Sequence, residues 1–273
     1  MLQNQTNEYL HGFSEEEQMR LIAQNKVLSP DIYAWLDLSK SKHLLEIGCG
    51  VGAQMIEILK RFPEIKMTGI DLHEAQIIKA KELLGNSGIN PTRYELITGN
   101  ILDSLDIKNE FDDILLVWVL EHVKNPSELL RSGQQYLRKG GKIHITEVYN
   151  RSFDLYPASP KILSFWKRMD EFQNSLGGNG QIGIELGNLL CESGFTKIQT
   201  HSHPLFFDKT KPERRATFLS YWTELMESSA LTMIANNAIS KEEWIEVENL
   251  MHLIQSDENA IFYYSWIQAC GEK

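Results

Sequence analysis

The chain has 273 residues, 42% of them hydrophobic, enough for one large core plus a smaller appended layer. Its 27 basic and 37 acidic residues leave a net charge of −10. That balance argues against a nucleic-acid partner, whose phosphates are bound chiefly by lysine and arginine.

Residues 1–40 read as a helical leader, with candidate helices at Glu15–Gln24 and Pro30–Leu36. The run Leu44-Leu45-Glu46-Ile47 is a strand, and it opens onto Gly48-Cys49-Gly50-Val51-Gly52, three glycines at alternate positions. Glycine suits a turn whose backbone angles forbid a side chain and against which a ligand lies on bare backbone. A helix follows from Ala53 to Phe62, stopped by Pro63. Gly48, Gly50 and Ala53 also satisfy the dinucleotide fingerprint of nicotinamide enzymes, so the turn alone does not choose the cofactor.

A second strand, Met67–Ile70, ends at Asp71, 19 residues beyond Gly52, where an acid can hold two ribose hydroxyls or cap the next helix. Strands at Tyr94–Thr98 and Phe111–Val117 follow, the first running into Gly99-Asn100-Ile101 and the second into Trp118 through Val123. Asn125, Pro126 and Glu128 mark a helix start, and Leu137-Arg138-Lys139-Gly140-Gly141 turns into the strand Lys142–Val148.

These segments, in this order, resemble the class I S-adenosylmethionine-dependent methyltransferases over about residues 40–205 and the last strand. The motifs that carry the resemblance are Glu46–Gly52, Gly69-Ile70-Asp71, Gly99-Asn100, Phe111-Asp112 through Glu121-His122-Val123, and Leu137–Gly141. Nicotinamide enzymes lack the Leu-Glu-His-Val and Leu-Arg-Lys-Gly-Gly segments in these places. The fold implied is α/β: a Rossmann-like, seven-stranded, mostly parallel sheet with helices on both faces and a helical cap. The core would comprise 41–207 and 258–273, and the cap would be built from 1–40 and two insertions, 149–180 and 208–257.

The resemblance also implies cofactor contacts. The backbone at Gly48, Cys49 and Gly50, with Gly52 and Gln54 beside it, would run along the methionine part, Glu46 being the turn's acidic partner. Asp71 would accept from the ribose, Leu72 would pack on the adenine, and Asn100 and Ile101 would flank it. Val117 would meet the amino-acid part; many relatives carry Asn, Asp or Ser there, and with valine in this chain only the backbone carbonyl can serve. Tyr9, with His11 and Phe13, would close over the donor from the leader.

The aromatic residues of 149–172 suggest an apolar or aromatic acceptor, although each ring can equally pack the cap. His122, Glu121, Glu147, His201 and His203 are candidate bases, and His122 and Tyr149 are the positions assigned to catalysis. His201 and His203 share a strand face, a spacing that also suits metal ligands. With Cys49, Cys191 and Cys270 unclustered, no metal is expected. Lys209–Arg215 is a basic stretch that reads as a solvated loop.

The implied activity is methyl transfer from S-adenosylmethionine, leaving S-adenosylhomocysteine, to a small molecule. Rival readings are a non-catalytic cofactor-binding sensor, or an enzyme acting on a protein or carrier-bound substrate. No signal peptide is visible in Met1–Arg20, and the longest apolar run, Ile114–Leu120, is too short to span a membrane. The expectation is a cytoplasmic protein, with the closing strand offering a sheet edge for a homodimer.

Overall fold

A computed structural model describes residues 14–103, 105, 107 and 110–273. In chain order the elements are α1 (Glu15–Ile32), β1 (His43–Ile47), α2 (Ala53–Arg61), β2 (Lys66–Asp71), α3 (Glu74–Gly85), β3 (Tyr94–Thr98) and β4 (Phe111–Val117). They continue with α4 (Pro126–Tyr136), β5 (Leu137–Glu147), β6 (Asp154–Tyr156), α5 (Pro160–Ser175), α6 (Leu186–Glu192) and β7 (Thr196–Phe207). The chain closes with α7 (Pro212–Ala235), α8 (Lys241–Ser256) and β8 (Ile261–Glu272).

The strands form one sheet in the order β3-β2-β1-β4-β5-β8, with β6 and β7 also paired to β8. The first five are parallel, and β8 runs antiparallel to β5, β6 and β7. Among the described residues the sheet thus has eight strands. The addition to the expected seven is β6, three residues inside the aromatic-rich insertion and too short to show a period of two.

Alternation along the strands divides the interior. Leu45, Ile47, Ile114 and Leu116 face one apolar cluster, which α4 and α6 cover with Leu129, Leu130, Leu186 and Leu190. Leu44, Leu115 and Val117 face the other, which takes in Met55, Ile58 and Leu59 of α2. The second cluster does not stop at the sheet. It continues through Phe262 and Trp266 into Phe165, Trp166, Phe218, Trp222, Met226, Trp244 and Met251 of α5, α7 and α8.

Local details depart from the sequence reading in three places. The two leader helices are one, because Pro30 falls in the last turn of α1, where the chain leaves the helix two residues later. Asn125 makes no side-chain cap; its Nδ2 donates to Glu128 Oε2 at 2.9 Å. Ahead of α6 the chain makes a 3-10 turn, Ile182–Glu185. There the Gly183 N–H donates to the Val148 carbonyl at 2.9 Å, and a Cβ on Gly183 would lie 2.6 Å from that oxygen. Ser240 does cap α8, accepting from the Glu243 N–H at 3.1 Å, while the Glu243 carboxylate pairs with Arg168 of α5. Lys209–Arg215 is a solvated loop only in its first part: Lys209, Thr210 and Lys211 are exposed, whereas α7 begins at Pro212, Arg214 pairs with Asp31 and lies over Phe207 and Phe218, and Arg215 donates to the Glu258 carbonyl.

Candidate functional site

The glycine turn is stitched to the end of β2. The Gly48 and Cys49 N–H groups both donate to the Ile70 carbonyl, at 2.8 and 3.0 Å. The Gly50 N–H donates to Asp71 Oδ2 at 2.9 Å, and the His73 N–H donates to Asp71 Oδ1 at 2.9 Å. Gly48 has φ +73°, and a Cβ there would lie 2.7 Å from Val119 Cγ2; Gly50 has φ +50° and open space in front of it. Burial raises the Asp71 pKa, and the His73 and Gly50 N–H donors act against the rise.

In front of this turn lies a cavity of about 370 Å³. Gly48, Cys49, Gly50, Gln54, Asp71, Leu72, Asn100, Ile101, Val117 and His122, all candidates from the sequence, line it. Gly52 does not: its α-carbon packs against α3, where a Cβ would lie 3.1 Å from Ala80 Cβ. Tyr9, His11 and Phe13 lie outside the described residues.

Glu46 is also absent from the wall. It is fully buried beneath the turn with neither carboxylate oxygen hydrogen-bonded, and burial, with the Asp71 charge adding, drives its pKa well above the usual range. The fold therefore holds a proton on Glu46 that the unfolded chain releases above the ordinary carboxylate pKa. Its contribution to stability is complete below about pH 4.3 and is lost as pH rises toward the native value. Glu46→Leu is expected to raise the melting temperature by an amount that grows as pH rises above the ordinary carboxylate range. A gain independent of pH in thermal denaturation would contradict this.

Tyr149 stands off the wall as well. Its N–H donates to the Tyr264 hydroxyl at 3.3 Å, and its carbonyl accepts from the Ser152 hydroxyl at 2.7 Å. The neighbour Asn150 is the lining residue: its carbonyl accepts from Trp166 Nε1 at 2.8 Å and its Oδ1 from the Tyr264 hydroxyl at 3.1 Å.

After β4 the chain makes a tight turn through Trp118, which has φ +55°, a strained value for a bulky residue and a common mark of functional sites. Its ring meets that of Trp266 edge-on at 6.0 Å. The next turn is held from below by Glu147, whose Oε1 accepts the Val119 and Leu120 N–H groups at 2.8 and 2.6 Å. Burial and the neighbouring Glu121 push the Glu147 pKa well up. Glu147 is thus a backbone clamp beneath the site, not a group on its wall.

The clamp presents Glu121 and His122 to the cavity. Glu121 Oε2 accepts from Gln173 Nε2 of α5 at 2.7 Å, and its backbone carbonyl accepts from the Asn179 N–H at 2.7 Å. Glu121 Oε1 lies 3.6 Å from His122 Nε2. Burial lowers the His122 pKa, and Glu121 opposes the shift. The two other histidines fall elsewhere: His201 stacks on Trp35, and His203 stacks on Trp266 at 5.0 Å. Among the described residues no group of His, Cys, Asp or Glu has the arrangement to hold a metal ion.

The far wall comes from α1, α5, α7 and β8, through Arg20, Trp166, Met169, Tyr221, Trp222, Tyr264 and Trp266. Sequence reasoning did not place Trp118, Tyr221, Trp222, Tyr264 or Trp266 at a site, because only tertiary packing brings them together. Trp118 alone carried a local signal, a large ring directly after a strand end that faces a glycine turn.

Residues 45–143 match a family described as a methyltransferase domain. An O-methyltransferase of Aspergillus sclerotiorum is 25% identical over 70% of this chain and 68% of its own length. A ubiquinone biosynthesis O-methyltransferase of Coxiella burnetii is 32% identical over 43% of this chain and 47% of its own, so this chain spans about half the length of that relative. Among solved structures, a phosphoethanolamine N-methyltransferase of Haemonchus contortus, in complex with phosphomonomethylethanolamine and S-adenosylhomocysteine, shares the fold with a TM-score of 0.59. It is 16% identical and the likeness covers 97% of this chain and 60% of that one.

Proposed function

We propose that this chain, which carries a class I S-adenosylmethionine-dependent methyltransferase domain, transfers a methyl group to a small acceptor of apolar or aromatic character. The observation that carries the reading is the joining of the glycine turn to Asp71 at the mouth of an aromatic-walled cavity of about 370 Å³, within the size range of small-molecule sites. The residues fit the cofactor: Gly50 offers backbone with open space before it, and Asp71 keeps acceptor capacity beyond its two N–H bonds.

When bound, S-adenosylmethionine supplies an electrophilic methyl carbon on a sulfonium whose leaving group is neutral. The protein's part is to bind, orient and exclude water. Asp71 would accept the ribose hydroxyls, Leu72, Asn100 and Ile101 would hold the adenine, and Gly48, Cys49, Gly50 and the Val117 carbonyl would take the methionine part. The rings from α5, α7 and β8 would hold the acceptor, and α1, α5, α7 and α8 together would form the cover over both ligands. Among the described residues no helix is long and apolar enough to cross a membrane.

His122 would take the proton of the nucleophile. Burial keeps it neutral, so it remains competent as a base below about pH 6.5, and the acidic limb of kcat/KM is expected there. His122→Asn should remove that limb and cost about 10²-fold or more in rate. An unchanged pH profile in the variant would assign the proton elsewhere.

The proposal is tested by calorimetric titration with S-adenosylmethionine, S-adenosylhomocysteine and NADH, followed by an acceptor screen weighted toward ring compounds. Micromolar binding of the first two and methyl transfer in the screen support it. Binding of NADH in their place, by a folded protein, overturns it.

A further inference from the structure

The charges on the cavity wall are few and unevenly matched. Among the described lining residues Arg20 is the only lysine or arginine, and Asp71 and Glu121 are the only acids. Arg20 is already engaged: its Nε and Nη2 donate to the Glu17 carboxylate at 2.7 and 2.6 Å, and its Nη1 donates to Gln24 Oε1 at 2.7 Å. Asp71 belongs to the glycine-turn end. Glu121 is tied to α5 through Gln173, lies close enough to Tyr221 and Tyr264 for its charge to act on their hydroxyls, and shares the wall with Trp118 and Trp166.

Three kinds of acceptor can be weighed against this wall. An acid would face Glu121, and the one guanidinium of the described lining is held by Glu17 and Gln24. An uncharged ring would satisfy the aromatic side chains, but by displacing water it would leave the Glu121 carboxylate with only Gln173 and the neighbouring His122 ring, a weaker compensation than a full cation in a dry site. A protonated amine meets both demands, since electron-rich indole and phenol rings attract cations and a carboxylate pairs with them.

Resting on the reading above that the cavity holds a methyl acceptor beside the donor, we propose that this acceptor is an organic cation. It has a ring or hydrocarbon body and a protonated amine, held by the Glu121 carboxylate and the aromatic wall. Gln173 is then a positioning residue that fixes the carboxylate from α5. The inference concerns recognition, and the amine need not be the atom that is methylated.

The test uses three phenols with the same ring and different side-chain charge: tyramine, 4-propylphenol and 4-hydroxyphenylacetate. Each is titrated calorimetrically into protein saturated with S-adenosylhomocysteine, so that the cofactor's own ammonium is already in place. Tyramine is expected to bind at least about tenfold tighter than 4-propylphenol, with 4-hydroxyphenylacetate the weakest. Glu121→Gln should cut the advantage of tyramine to about threefold or less while the affinity for S-adenosylhomocysteine, which also reports folding, is unchanged. The wild-type series decides the matter even if that variant misfolds. Equal or tighter binding of 4-propylphenol, tightest binding of the acid, or no saturable binding of tyramine overturns the proposal. Failure of S-adenosylhomocysteine to bind would instead overturn the cofactor reading, and the same series on ligand-free protein then still tests the preference for a cation.

Discussion

Asp71→Ala is expected to weaken S-adenosylhomocysteine binding by about 100-fold or more while leaving the chain folded. Two hydrogen bonds from ribose hydroxyls to a carboxylate contribute roughly 1.5–3 kcal/mol each, and every 1.4 kcal/mol is a factor of ten in affinity. The variant loses more than these bonds, because the Gly50 and His73 N–H groups both donate to this carboxylate, and without it the turn is no longer held at its midpoint. Asp71→Asn keeps an oxygen for one of the two donors and gives up the charge, so its loss should be smaller, about tenfold. Calorimetry on the three proteins measures the series directly. An alanine variant that binds as tightly as the parent would remove Asp71 from the site and with it the assignment of the glycine turn to a nucleoside.

The largest effect on stability is expected at Trp222. Its side chain is 4% exposed and meets the rings of Phe153, Trp166, Tyr221, Phe262 and Tyr264, five aromatic neighbours drawn from α5, α7, β8 and the loop before β6. Truncation to alanine leaves a void that so many rigid rings cannot close, a loss of about 3–5 kcal/mol. For a chain of this size that corresponds to a drop of roughly 6–15 °C in melting temperature. The shape of the transition is as informative as its midpoint. The apolar cluster runs unbroken from β1 and α2 to α8, so wild type and variant should both melt in one step. Two separated transitions would show that α5, α7 and α8 form an independent unit.

The sequence was legible wherever chemistry and local geometry coincide. The turn at Gly48–Gly50 needs positive φ, and that requirement can be read from residue type. The place of Asp71 at the end of β2, next to the turn, could be read from its spacing, which the length of one helix and one strand sets. Tyr149 was placed one residue off for a reason in the pleat: Val148 and Asn150 line the cavity and Tyr149 between them does not, as alternation beyond a strand end dictates. Glu46 and Glu147 look alike on paper, acids at strand ends near a site. One lies buried without a partner and the other clamps two backbone N–H groups, a difference that only the path of the chain after β4 decides. The aromatic wall was the least legible part. Phe165 and Trp166 are adjacent in sequence, yet Phe165 packs on Trp244 and Trp166 lines the cavity, because neighbouring residues on a helix face different partners.

The stitching of the glycine turn to β2 bears on the timing of turnover. Four backbone N–H groups, those of Gly48, Cys49, Gly50 and His73, are satisfied by Ile70 and Asp71 within the protein itself, so the turn has its shape before any ligand arrives. A preformed turn loses little conformational freedom when a nucleoside docks. On the cofactor reading proposed above, arrival is expected to be a single encounter whose rate rises linearly with concentration, which stopped-flow binding of S-adenosylhomocysteine would check.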